Sequence, residues 1–139
     1  MTTLEGSLID HLNLPVTDLD AAIAFHTAAL APLGIVSLLH VLPDPPSGQK
    51  AMHAFGVGAK PFFWVIEARR RVTYDDDTHL AFTATDRDVV AAFSAAAVDA
   101  GATVLRGPGV CPEYHPDYYG AFVRSPDGVN LEAVCHRAP

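Results

Sequence analysis

The sequence predicts an α+β fold: two tandem βαβββ modules whose strands form a curved mixed sheet around one cleft. Three observations carry this. The chain repeats itself at a spacing of 68 residues, each repeat begins with a strand-like stretch followed by a helix with recognisable ends, and three further strand-like stretches complete each half. Its 139 residues suit a single domain over residues 1–139, with module one at about 5–68 and module two at about 76–136, and half of them are hydrophobic, enough for a core.

The repeat is most visible near the start of each half. A shift of 68 places sets His11-Leu12 on His79-Leu80, Thr17-Asp18 on Thr85-Asp86, Asp20 on Asp88 and Ala24-Phe25 on Ala92-Phe93. Nine of the twenty positions from His11 to Leu30 are identical in this register. Alanine matches are cheap in so alanine-rich a chain, but the His, Thr-Asp-x-Asp and Phe matches are not, so the chain reads as a duplication.

Each module opens with a strand, at 8–14 and 78–84, in which large apolar residues alternate with others. The helices that follow begin at Thr17/Asp18 and Thr85/Asp86, whose side-chain oxygens can accept from free first-turn N–H groups, with Asp20 and Asp88 favourable against the helix dipole. They close near Gly34 and Gly101, since glycine tolerates the left-handed backbone that ends many helices. Strands are expected next at 35–42, 50–57 and 62–67, and in the second half at 103–106, 119–124 and 129–135. Between the last two, Ser125-Pro126-Asp127-Gly128 is a turn in which Pro presets φ and Gly supplies positive φ. Residues 68–77 are charged and lack a core pattern, as a solvated linker does.

Charge and composition narrow the partners. Sixteen acidic against nine basic residues give a net charge of −7, with no basic cluster beyond Arg69-Arg70-Arg71, which argues against nucleic acid. The first six residues carry no basic leader region, and no apolar run approaches the ~20 residues that span a bilayer, so a cytoplasmic protein without a membrane partner is expected. Cys111 and Cys135 have no metal-binding or redox spacing and read as ordinary thiols, a disulfide between them remaining open.

Strand alternation turns this organisation into chemistry. His11 shares a face with Ile9 and Asn13, opposite the leucines; His79 lies with Ala81 and Thr83; Glu132 lies with Asn130 and Val134, away from Leu131 and Ala133. A lone strand histidine is more commonly structural, but two at equivalent points of a duplicated fold sit symmetrically about a shared cleft. A carboxylate buried there is costly unless paired or coordinated. His11, His79 and Glu132 are therefore the candidate ligands of a divalent ion (Zn, Mn, Fe or Ni), with coordination positions left open for a substrate.

The segments Asp10-His11-Leu12 with Val16-Thr17-Asp18-Leu19, Thr78-His79-Leu80-Ala81-Phe82, and the run from Tyr119 to Glu132 resemble the vicinal oxygen chelate superfamily. That superfamily includes glyoxalase I, extradiol ring-cleaving dioxygenases, fosfomycin-resistance transferases and bleomycin-resistance proteins. The resemblance covers nearly the whole chain. It implies two βαβββ modules around a metal-holding cleft, His11, His79 and Glu132 at the metal-binding positions, and a homodimer, since many members complete their sites across subunits.

Departures from the family's branches shape the expectation. Glyoxalase I typically has a fourth ligand, a glutamate on the last strand of the first module; the 68-place shift puts Trp64 there, while a local match of Glu67-Ala68 with Glu132-Ala133 nominates Glu67. Trp64 is the favoured occupant, as a cleft wall. His115 upstream of Phe122, Pro126, Gly128 and Glu132 echoes the extradiol signature, but Val123 and Ser125 replace its tyrosine and aspartate. No counterpart of the fosfomycin enzymes' cation-binding loop is present, and bleomycin binders generally lack the ligands. The expected function is a glyoxalase-like lyase or isomerase acting on a small substrate chelated through neighbouring oxygens, with an extradiol-type dioxygenase or a non-catalytic binding or resistance protein as the alternatives. His115, Tyr119 and Glu132 are the candidate catalytic groups for proton transfer, and His53, Trp64 and Tyr114 the candidate substrate-lining residues. His26, His40 and His136 have no supporting context.

Overall fold

The computed structural model describes residues 7–139. The expectation of no basic leader, and the start of module one near residue 5, lie outside the described residues. Two βαβββ modules are present. Strand β1 (Leu12–Val16), helix α1 (Leu19–Leu30), a 3-10 turn (Ala31–Leu33) and strands β2 (Val36–Val41), β3 (Met52–Val57) and β4 (Lys60–Glu67) form the first. Strand β5 (His79–Thr83), helix α2 (Arg87–Asp99) and strands β6 (Thr103–Val110), β7 (Tyr119–Arg124) and β8 (Asn130–Cys135) form the second. The eight strands divide into two four-stranded mixed sheets, ordered β1-β4-β3-β2 and β5-β8-β7-β6, with the first and last strand of each module parallel.

Both helices begin where their aspartates require. Asp18 accepts from the Ala21 N–H at 3.0 Å and Asp86 from the Val89 N–H at 2.9 Å, each cap satisfying a first-turn donor. Gly34 ends the first helical segment at φ 74° and Gly101 the second at φ 112°.

The strands differ from expectation chiefly at the sheet edges. Strand β1 begins at Leu12 rather than residue 8 and runs on to Val16. It pairs only with β4, so Pro15, which has no N–H to donate, is tolerated there. Strand β6 extends to Val110 through Pro108, again an edge strand paired on one side, with irregular register against β7. Residues 68–77 form no helix or strand, yet they are tied down: the Val72 N–H donates to Thr17 Oγ1 at 2.9 Å and the Tyr74 hydroxyl donates to the Pro15 carbonyl.

Each sheet has a helix-covered face and an open face. Leu14, Val16, Phe63 and Val65 of the first sheet and Ala121, Val123, Leu131 and Ala133 of the second join Phe25, Ala29, Phe93 and Ala97 of the helices in one core. The modules thus meet through their helix-bearing sides, with α1 against α2 and the rings of Phe63 and Phe82 5.5 Å apart. Burial of side chains the size of Phe93 contributes about 2–3 kcal/mol each. On the open faces Asn13 and Pro15 of β1, and His79, Ala81 and Thr83 of β5, are exposed. Cys111 and Cys135 are buried free thiols. No helix among the described residues is long and apolar enough to cross a membrane.

Candidate metal and substrate site

Glu132 is the centre of the site. It stands on the open face of β8, paired across the sheet with Ala81 and Phe122, and is only 1% exposed. A buried carboxylate is costly unless its oxygens are occupied, and both are. Oε1 lies 2.8 Å from His79 Nε2, and Oε2 accepts a hydrogen bond from the Tyr118 hydroxyl. The His79 ring in turn stacks on Phe122, with centroids 5.9 Å apart and planes 16° from parallel.

Tyr118 reaches Glu132 because of two local features. The loop before β7 is folded by backbone bonds from the Tyr114 N–H to the Cys111 carbonyl, from the Tyr118 N–H to the His115 carbonyl and from the Cys111 N–H to the Tyr118 carbonyl. Glycine at 120 leaves the space: a Cβ there would stand 2.9 Å from Glu132 Oε2 and 3.2 Å from Tyr118 Cε1. Burial, and then the bond to Glu132, push the Tyr118 hydroxyl well above the usual tyrosine range, so it remains a protonated donor.

His115 lies beside this pair, not on it. Its ring packs edge-on against Tyr118 at 5.5 Å, its Nδ1 accepts from the Asp117 N–H at 3.1 Å, and its Nε2 lies 2.9 Å from His136 Nδ1. With Nδ1 accepting, neutral His115 carries its proton on Nε2 and donates to His136. Tyr114, 58% exposed, covers the outer side of Tyr118 with ring centroids 4.7 Å apart.

Other candidates are placed elsewhere. Tyr119 pairs with Cys135 and takes the helix side of the second sheet, where the Arg87 guanidinium sits 4.9 Å from its ring centroid. Neighbouring strand residues point to opposite faces, so Tyr119 cannot share a face with Glu132. His53 pairs with Val65 and packs on Phe55, on the helix side of the first sheet, whereas Trp64 pairs with Ala54 and Asn13 on the open side. His53 is held by Ser37, against its Nε2, and by His40, whose Nδ1 is 3.0 Å from its own. Burial and then the neighbouring His40 lower its basicity.

His11 precedes β1, is 53% exposed at its side chain, and pairs with Asp10 at 2.6 Å. Asp10 also meets Lys60, and the bonds to Lys60 and His11 hold its carboxyl below the usual range. Among the described residues no three His, Cys, Asp or Glu side chains converge to hold a metal ion within one chain. His79 and Glu132 do stand as two ligands of one ion would, since donors about 2.1 Å from a metal at right angles are about 3 Å apart.

Tyr118, Gly120 and Phe122 belong to the site although none was among its sequence-predicted candidates. The alternation that places Glu132 on the open face also selects them. Phe122 is its cross-strand partner, and Gly120 and Tyr118 follow at steps of two.

The family model described as Glyoxalase/Bleomycin resistance protein/Dioxygenase superfamily matches residues 8–133. No curated protein matches the sequence. Among solved structures, a glyoxalase/bleomycin resistance protein from Albidiferax ferrireducens T118 superposes with a TM-score of 0.78 at 24% identity, covering 92% of this chain and 98% of that one. A glyoxylase/bleomycin resistance protein/dioxygenase domain from Frankia sp. EAN1pec gives 0.72 at 19% identity, over 97% and 100%. Glyoxalase I from Zea mays gives 0.70 at 24% identity over 94% of this chain; the chain spans 45% of the maize protein. These likenesses establish a common fold.

Proposed function

The chain belongs to the glyoxalase/bleomycin resistance protein/dioxygenase superfamily, and from that premise we propose that it is a divalent-metal-dependent, glyoxalase-like enzyme of the lyase or isomerase class, acting on a small substrate chelated through neighbouring oxygens. The observation that carries this is the 2.8 Å contact between His79 Nε2 and the buried Glu132 Oε1. Burying a carboxylate is costly for a structural scaffold, which an apolar side chain at that position would serve at lower cost. Within one chain His11 is remote from this pair, and the open faces of the two modules look away from the shared core. The site is therefore completed in a homodimer, where His11 and Trp64 of one protomer meet His79 and Glu132 of its partner, as in relatives that build sites across subunits.

A divalent ion bound there would supply Lewis acidity to two adjacent substrate oxygens. The chain's own contribution is positional. His79 and Glu132 present one nitrogen and one oxygen side by side, Phe122 fixes the imidazole plane, and Tyr118 keeps the second carboxylate oxygen occupied. Of the candidate proton-transfer groups Glu132 stands in the site itself, and His115 and His136 line the way outward from Tyr118.

The test is metal content by elemental analysis of protein prepared without an affinity tag, together with subunit complementation. Near one equivalent per chain is expected in wild type and little in His79→Ala or Glu132→Ala. Mixing His11→Ala with Glu132→Ala protomers restores one intact site per heterodimer, so metal binding recovers on mixing. Wild-type protein that takes up no ion after reconstitution would rule the reading out, and absence of recovery would rule out the shared site.

A further inference from the structure

Glu132 has two oxygens but His79 faces only one of them. The other, Oε2, is held by the Tyr118 hydroxyl, and that contact is built into the fold. Tyr118 is fixed by its own backbone bonds to Cys111 and His115, by the Tyr114 ring on one side and by the His115 and His136 rings at 5.5 and 5.3 Å. The missing side chain at Gly120 is a second element of the same arrangement, since any Cβ would press on Oε2 itself. Carboxylates bind ions through one oxygen or two, and a strong hydrogen bond to one oxygen disfavours the chelating mode.

Resting on the metal-site reading above, we propose that Tyr118 is a positioning residue that enforces one-oxygen presentation of Glu132: it occupies Oε2 and leaves Oε1 alone to coordinate beside His79. Gly120 is the residue that permits it. The consequence is a coordination position kept free. A chelating Glu132 would take up one of the sites that a substrate bound through two neighbouring oxygens needs, so Tyr118 preserves the site's capacity for a bidentate ligand. Tyr118 itself touches neither ion nor substrate; it acts through Glu132.

Cobalt(II) is the probe, because its visible absorption weakens as its coordination number rises. Wild type, Tyr118→Phe and Gly120→Ala are loaded with cobalt(II), with Tyr119→Phe as the neighbour on the opposite face. Tyr118→Phe frees Oε2 to join the ion, so its visible bands lose intensity relative to wild type and its cobalt affinity weakens on the order of 10-fold. Gly120→Ala, which displaces Oε2 without entering the core, shifts the spectrum as well, and Tyr119→Phe retains the wild-type bands. A Tyr118→Phe spectrum superimposable on wild type overturns the proposal, whatever the affinity. Wild-type protein that takes up no cobalt overturns the metal-site reading on which it rests, a result that the spectrum of the variant cannot mimic.

Discussion

Trp64 and Glu132 occupy the same station in their modules. Trp64 pairs with Asn13 in parallel register and Glu132 with Ala81, and both pairs are related by the 68-place repeat. The first module thus presents an indole where the second presents its carboxylate.

Glu67 is excluded from that station by register. It pairs with Val16 at the exposed end of β4, three residues beyond Trp64 and so on the other face. Glu67→Gln is expected to leave metal content at the wild-type level while Glu132→Gln abolishes it, as read by elemental analysis. Equal losses in both would show that the first module contributes a fourth ligand.

Trp64→Ala opens the wall that faces the proposed substrate. Its expected signature is a raised KM with kcat and metal content little changed, because in the proposed site the indole would line the ligand without reaching the ion or the reacting proton. A fall in kcat with unaltered KM would place Trp64 in the chemistry instead.

His26 sets a lower pH limit for the fold. The ring is fully buried among Phe25, Phe55 and Phe63; Nδ1 donates to the Ala22 carbonyl at 2.8 Å, and Nε2 has no hydrogen-bond partner among the described residues. Burial lowers its pKa to about 4 from the ordinary histidine value of 6.5, while the bond to Ala22 opposes the shift. The unfolded chain therefore takes up a proton near pH 6.5 that the folded chain refuses until about pH 4. The stability is present above pH 6.5 and is lost as pH falls towards 4. Between pH 7.5 and 5 the loss from this group is about 2 kcal/mol. Urea unfolding at the two pH values, compared with His26→Leu, measures it; an equal pH dependence in both proteins would refute the assignment.

Asp86 caps α2 through its bond to the Val89 N–H, and Asp86→Ala is expected to cost about 1 kcal/mol. Asp18 caps α1 but also faces Asp127, whose carboxyl is raised chiefly by burial and secondarily by Asp18. Asp18→Asn keeps a capping oxygen and removes the repulsion, so its unfolding midpoint in urea should match or slightly exceed wild type, where Asp18→Ala falls below it.

The two modules, their order of elements and the helix starts were legible in the sequence because each depends on neighbours in the chain. A cap needs only an aspartate and the N–H groups three residues on, and a repeat needs only comparison. The exposed ends were less legible. Strand β1 slides to Val16 and β6 passes through Pro108 because an edge strand pairs on one side only, and that depends on where the sheet ends.

The site divides along the same line. Strand alternation by itself put His79 and Glu132 on a common face, and their contact follows from the parallel pairing of β5 with β8. Applied to β7, the same alternation separates Tyr118 from Tyr119. The tertiary structure alone decided that Tyr118 closes on Oε2, since this needs a folded loop and the space at Gly120. It also decided that His53 faces the helix and that His11 stands apart from Glu132. The physical reason is that alternation assigns a face within one sheet, whereas the meeting of two modules depends on which faces bury the most apolar surface. Here those are the helix-bearing faces, which turn the polar faces outward.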